Sequence, residues 1–251
     1  MPFKVKLKLF AIGLLGLAVL STLLMIQPFL AGAFLVLVLI YIEMIYPKWN
    51  FFGSAILDVK SRGAKPVAIT FDDGPSEWTL PILETLKNEQ VKATFFLLGS
   101  NIDRYPEIAR RIQTDGHTLG FHGESHTKFH LKGPKFIAAD LDASVESFKK
   151  AGLLLPTLIR FPHGFKNIFA VREIKKRNLK LCGWGRGVWD SKRPGVDWIV
   201  KHSLLLRAGE ILLLHDGNGA HKNPDRSQTA EALPQIIKGL RARGFEFVMM
   251  K

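Results

Sequence analysis

The chain has 251 residues, with 35 Lys plus Arg against 22 Asp plus Glu and a formal net charge of +13. That length holds one or two domains at ~150 residues each, and an apolar share of 47% excludes a disordered chain. A single cysteine, Cys182, excludes a disulfide scaffold and a thiolate-rich zinc site.

The amino-terminal stretch stands apart. After Lys4, Lys6 and Lys8 no charged residue appears until Glu43, which leaves a charge-free run of 34 residues from Leu9 to Ile42. This is well beyond the ~20 apolar residues that cross a bilayer, and longer than the apolar core of a signal peptide. As one helix it would reach about 51 Å, against a hydrocarbon core of ~30 Å. Gln27-Pro28 falls in its middle, where proline removes a backbone donor and bends a helix. Two short spans, near residues 9–26 and 29–46, are therefore expected. Lys48, Lys60 and Lys65 follow the second, so lysines flank both outer ends, as a hairpin with both ends in the cytoplasm requires. The alternative is one long anchor that exports everything after it.

The expected organisation is an anchor over residues 1–48, a linker over 49–64 and a body over 65–251. The chain is then integral to the cytoplasmic membrane, and the side on which its body lies is open. The anchor carries four lysines and one glutamate, so the remainder keeps +10. A basic body behind an anchor suits a lipid bilayer with anionic headgroups or a phosphate-bearing substrate. No DNA- or RNA-binding motif is present, so nucleic acid is not an expected partner.

From Pro66 onward short β-rich runs recur at 67–71, 92–98, 118–122, 157–161, 179–184, 210–215 and 245–250. Helical signals fill the intervals. Thr79 is placed to cap one helix, Pro106 opens the next, and amphipathic segments follow at 134–150, 167–177, 197–206 and 229–241. Such alternation predicts an α/β fold with a parallel sheet covered by helices, either a barrel or a doubly wound sheet.

Polar clusters fall just after the strands. Asp72-Asp73-Gly74-Pro75 follows the first and His122 to His126 the third. Arg160-Phe161-Pro162-His163-Gly164 closes the fourth, Asp190 follows the fifth, and His215-Asp216 ends the sixth. In a parallel barrel all strand carboxyl ends open onto one rim, where catalytic residues collect. Asp72 and Asp73 are adjacent in an extended segment, so their side chains diverge and one can bind a metal while the other acts as a base. The same four residues also suit a plain turn.

His122 and His126 are four apart, a spacing that lets two imidazoles share a metal on a helical turn; His126 and His130 share it, and His117 is near. One carboxylate with two histidines leaves open positions for water and favours Zn²⁺ among the divalent ions. His215, at the tip of an apolar strand, can donate a proton near neutral pH. Arg160 can pair with a carboxylate, Trp184 and Trp189 can offer platforms to a sugar ring, and Cys182 reads as a buried filler.

Taken together, Thr70-Phe71-Asp72-Asp73-Gly74-Pro75, His122-Gly123-Glu124-Ser125-His126, Arg160-Phe161-Pro162-His163-Gly164, Asp190 and Leu212-Leu213-Leu214-His215 resemble the ordered motifs of the polysaccharide deacetylases. These share the NodB-homology domain of carbohydrate esterase family 4. The resemblance spans roughly residues 65–250. It implies a distorted (β/α) barrel of about seven parallel strands and metal-dependent removal of an N-acetyl group from an amino sugar, in a glycan or a lipid-linked saccharide. Carried over by position, Asp73, His122 and His126 hold the metal. Asp72 is the general base braced by Arg160, and His215 is the general acid paired with Asp190. The backbone of His163 faces the oxyanion, and Leu213, Trp189 and Pro162 shape the substrate pocket.

Two positions depart from the family pattern. Gly123 stands where a Ser or Thr usually follows the first metal histidine, which removes a supporting hydrogen bond. His163 stands where an aromatic precedes the glycine of the arginine motif. Two other functions stay open at this point. One is deacylation or deformylation of a polyprenyl-phosphate-linked sugar at the cytoplasmic face. The other is an inactive, membrane-bound glycan-binding module.

Overall fold

The computed structural model describes residues 3–45, 55–60, 63–219 and 224–250. They form two compact units, residues 1–43 and 44–251. The first is formed by the helix α1 (Phe3–Ile45), which contains Pro28 and whose last two residues count with the second unit. The stretch expected to break into two segments at Pro28 is thus one continuous helix. Proline deletes a single i→i−4 bond, and in an apolar run the flanking backbone groups have only each other as partners. The stretch Gly13–Met44 is long and apolar enough to cross a membrane. Lys48 and half of the expected linker lie outside the described residues.

The body alternates strands and helices in the order β1 (Pro66–Gly74), α2 (Thr79–Asn88), β2 (Thr94–Leu97), α3 (Gly99–Arg104), α4 (Pro106–Thr114), β3 (Thr118–Phe121) and α5 (Pro134–Lys150). It continues with β4 (Leu158–Ile159), α6 (Ile168–Lys176), β5 (Lys180–Leu181), β6 (Arg186–Gly187), α7 (Val196–Ser203), β7 (Ile211–His215), α8 (Ser227–Ala242) and β8 (Glu246–Phe247). Seven strands lie in the order β5-β4-β3-β2-β1-β7-β6 and β8 pairs β1 off this path; every one of these pairings is parallel. The sheet curls into a half-barrel with helices packed on its outer face. Three of the expected strands, 157–161, 179–184 and 245–250, shrink to two residues each as β4, β5 and β8. The chain beyond β5 reaches across to pair with β7 as β6, a strand the sequence pattern does not announce.

Part of the expected linker packs onto the body. Ile56 bridges Cys182 and Asp58 bridges Glu210, so the segment runs from the β5 edge to the foot of β7. Thr79 does not cap α2: its hydroxyl accepts from the Ser76 amide at 2.9 Å and donates to Asp216 at 2.6 Å.

Residue parity along the strands builds the two faces. Val67, Ile69, Phe71, Phe95, Leu97, Leu212 and Leu214 pack outward in the main core with helix residues such as Ile82, Leu86, Ile236 and Leu240. Ala68, Phe96, Leu158, Cys182 and Ile211 fill the concave side with Val59 and Met250. The same parity carries Thr70 and Asp72, Arg160, and Leu213 and His215 to the concave face. Gly120 belongs to it too, since a Cβ there would meet the Phe96 ring at 2.4 Å. The concave side is therefore apolar at its foot and polar at the carboxyl rim.

Candidate active site

At the rim, β1 and β7 are in register with Asp72 opposite His215. Asp73 comes next, with φ 73°, where the register of β1 against β2 slips between Asp72 and Gly74. This bulge, more than simple strand alternation, separates the two carboxylates. Asp73 Oδ1 lies 3.2 Å from His122 Nε2 and 2.9 Å from His126 Nε2, and these three ligand atoms are all within 4.8 Å of one another.

His122 follows β3, and the four-residue spacing to His126 is spanned by a loop, not the expected helical turn, with Gly123 at φ 80° and His126 at φ 57°. His117 and His130 take no part. The His117 ring accepts the Ala93 amide at 3.1 Å, and the His130 ring packs on Phe165 at 4.7 Å.

The three atoms fit a cation. His122 Nδ1 donates to the Arg160 carbonyl at 2.8 Å, which fixes the ring and leaves Nε2 with a lone pair when the imidazole is neutral. Asp73 Oδ1 is buried and accepts no well-aligned hydrogen bond, although both histidine nitrogens are at ion-pair distance. Three lone-pair donors thus converge on one point at the cavity wall, two of them from buried residues. One carboxylate and two imidazoles suit Zn²⁺ or a similar divalent ion and leave coordination positions open. Without an ion, protons must supply the balance. Burial opposes charge on Asp73, yet the two imidazoles hold its carboxyl well below the usual range. Burial likewise opposes charge on His122, yet Asp72 and Asp73 push its pKa up.

Asp72 is held from behind. Arg160 Nη1 donates to Asp72 Oδ1 at 2.7 Å and to Thr70 Oγ1 at 2.8 Å, and Nη2 to the Gly183 carbonyl at 2.7 Å. The guanidinium is fully buried and stacks over Phe96 at 4.2 Å. The second carboxylate oxygen of Asp72 faces His122 Nε2 at 3.9 Å.

His215 is held by a different carboxylate. Its Nδ1 lies 2.9 Å from Asp190 Oδ1, and its backbone amide donates to Asp190 Oδ2 at 2.8 Å. Thr229 also donates to Oδ2, at 3.0 Å. Burial disfavours the imidazolium, but the Asp190 charge and hydrogen bond outweigh it, with smaller help from Asp73 and Asp72. The pKa rises to about 9, so His215 carries a proton at neutral pH.

Asp72, Asp73, His122, His126 and His215 line one cavity of about 550 Å³ together with Leu213, Trp184, Trp189 and His163. Trp189 is 68% exposed at φ 59° and forms an open wall. The His163 ring lies 4.5 Å from that of His126. Burial, aided by His126 and Lys128, lowers its pKa to about 4, so the ring is neutral near pH 7. Pro162 does not line the cavity as expected. It is buried, with Cγ 3.7 Å from where a side chain on Gly123 would begin, so it backs the histidine loop. Cys182 is buried, and burial raises its thiol to about 12, in keeping with a buried filler.

Three supporting residues escape the sequence reading. Asn101 Nδ2 donates to the carbonyls of Asp73 at 2.7 Å and Gly219 at 2.9 Å; it follows the second strand, so its place at a strand end is the signal that points to it. Thr229 lies inside an ordinary amphipathic helix and carries no signal. Asp140, on α5, accepts from the Glu124 amide at 2.8 Å, the Ser125 amide at 3.3 Å and the Ser125 hydroxyl at 2.5 Å. A Cβ on Gly123 would lie 2.8 Å from the Asp140 carboxylate. The hydrogen bond that Gly123 cannot make to the loop is thus replaced from a neighbouring helix, across a gap that only glycine leaves.

The sequence profile of the polysaccharide deacetylases matches residues 59–181. A peptidoglycan-N-acetylglucosamine deacetylase from Bacillus cereus is 33% identical over 188 residues, covering 73% of this chain and 85% of the relative. A chitooligosaccharide deacetylase from Bradyrhizobium is 33% identical over 193 residues, covering 73% and 88%. Among solved structures, a peptidoglycan N-acetylglucosamine deacetylase bound to 4-naphthalen-1-yl-N-oxidanyl-benzamide superposes with a TM-score of 0.71 at 30% identity, covering 77% of this chain and 89% of that one.

Proposed function

The chain belongs to the polysaccharide deacetylase family, and from that premise we propose that it hydrolyses the N-acetyl amide of an amino sugar in a glycan and releases acetate. The observation that carries this reading is the convergence of Asp73, His122 and His126 beside two separately supported acid–base groups in one cavity. A divalent ion, Zn²⁺ by its donor set, supplies Lewis acidity to a carbonyl oxygen and acidifies water when bound.

The chain's own residues do the rest. Asp72, fixed by Arg160, takes a proton from the attacking water through the carboxylate oxygen that faces the site. The backbone amide of His163 faces the developing oxyanion, where one such donor is typically worth about 3 kcal/mol. His215, charged and oriented by Asp190, hands its proton to the departing amine. Leu213 packs against the acetyl methyl and Trp189 against the sugar.

Residues 1–48 act as the membrane anchor. With one helix in place of two, lysines 4, 6 and 8 at its start favour an amino terminus inside and a body outside the cytoplasm. An extracytoplasmic glycan is then the substrate. A saccharide still attached to a lipid is the second reading, favoured by the body's net charge. Acetate release by the purified full chain from chitooligosaccharides and peptidoglycan fragments tests the function. Release of acetate from either supports it; a metal-loaded chain that releases none from either, or from a lipid-linked amino sugar, removes it.

A further inference from the structure

The body carries one surface on which apolar and basic side chains alternate. Leu131 is 75% exposed, Phe136 40% and Phe169 38%. Lys128 and Lys135 are exposed between them, and Lys132 Nζ sits 4.8 Å over the Phe136 ring. These residues come from separate stretches of chain and are tied together. The buried side chain of Asn167 donates to the carbonyls of Phe129 at 2.9 Å, His130 at 3.2 Å and Lys132 at 2.9 Å. It also accepts from the Ala170 amide at 2.9 Å, so the start of α6 with Phe169 is bound to the 129–132 turn.

We propose that this surface docks on the headgroup layer of an anionic bilayer, the same bilayer that α1 crosses. The proposal rests on the anchor reading above. Met44, the first residue of the body, accepts a hydrogen bond from the Lys166 amide at 2.9 Å, one residue before Asn167. The second unit therefore begins beside this surface, at the last residue of the apolar stretch Gly13–Met44. Isolated apolar residues ringed by lysines suit the boundary of acyl chains and anionic headgroups: the apolar tips enter it while the ammonium groups stay among the phosphates. A water-soluble partner protein would favour a patch drier at its centre and poorer in lysine.

The surface also borders the active site. Phe165 lines the cavity, packs on His130, and has Lys128 over its ring at 5.7 Å. Docking would hold the cavity mouth close to the membrane and favour amino sugars at that surface.

The test uses the full chain in vesicles of phosphatidylcholine, with or without phosphatidylglycerol, containing brominated acyl chains. Cys182 is buried, so an introduced thiol takes up an environment-sensitive dye selectively. Leu35→Cys in α1 reports the anchor and Leu131→Cys the surface. Leu154→Cys is the control, since Leu154 is 76% exposed and follows the far end of α5, a helix about 25 Å long. The expected result is a blue shift and bromine quenching at 35 and 131 but not at 154. The effect at 131 should be stronger with phosphatidylglycerol and fall several-fold in Lys128→Glu/Lys132→Glu/Lys135→Glu. Quenching at 35 with none at 131 overturns the docking surface while the anchor stands. No quenching at 35 overturns the anchor, and the docking surface with it.

Discussion

Asp72 on β1 and His215 on β7 are register partners on adjacent parallel strands, and each is held by a different charged residue, Arg160 at 2.7 Å and Asp190 at 2.9 Å. The fold thus sets a carboxylate and an imidazolium side by side at one rim and gives each its own counter-charge.

The alkaline side of the pH–rate profile follows from His215. Its pKa is raised to about 9, so the proton is present below that value and lost as pH rises through it. A bound divalent ion cancels the part of the field due to Asp73 and Asp72, so the limb in the loaded enzyme lies below 9. Asp190→Asn removes the largest upward cause and should move the limb down by about one unit or more, measured as acetate release against pH. An unmoved limb would detach Asp190 from His215.

Arg160 is fully buried, and its loss strands the Asp72 charge. Arg160→Met should cost about 3–5 kcal/mol of stability, read as a fall in denaturant midpoint. Arg160→Lys keeps the charge but not the fork that reaches Thr70, Asp72 and Gly183 together, so it should recover stability better than turnover.

The Asp140–Gly123 pairing predicts an effect on metal without contact to it. Asp140→Ala releases the Glu124 and Ser125 amides and loosens the loop that carries His126. Zinc affinity should weaken about 10-fold or more, measured by competition with a chromophoric chelator, with the far-ultraviolet circular dichroism unchanged. Gly123→Ser, at φ 80° and 2.8 Å from the carboxylate, should weaken it as well.

Metal uptake should expel protons. His122 has a raised pKa in the ion-free site, and an ion binds only the neutral ring. Calorimetry in buffers of different ionisation enthalpy should show net proton release on zinc binding, with affinity falling as pH drops.

The orientation of α1 makes a separate prediction. Protease added to intact cells should digest the body if it lies outside the cytoplasm, and should reach it only after permeabilisation if it lies inside.

Much of this arrangement was legible in the sequence because strand ends and chemistry coincide. Asp72, Arg160 and His215 were placed by the rule that polar residues closing buried strands gather at one rim, and the motif order chose among the histidines. What stayed hidden depends on contacts distant in sequence. Asp140 reaches the histidine loop from another helix, Asn101 grips the Asp73 carbonyl from α3, and β6 forms only because the chain after β5 crosses to β7. Pro28 leaves α1 continuous for a local reason: it removes one backbone hydrogen bond, and the turns on either side keep theirs.

The most direct measurement pairs metal content with turnover in Asp72→Ala, His215→Ala and Asp73→Ala, each purified as the full chain. Asp72→Ala and His215→Ala should retain about one zinc per chain, as a three-ligand site left intact would, and lose acetate release. Asp73→Ala should lose both. Near-normal deacetylation by Asp72→Ala or His215→Ala, or undiminished zinc in Asp73→Ala, would contradict the roles assigned to this rim.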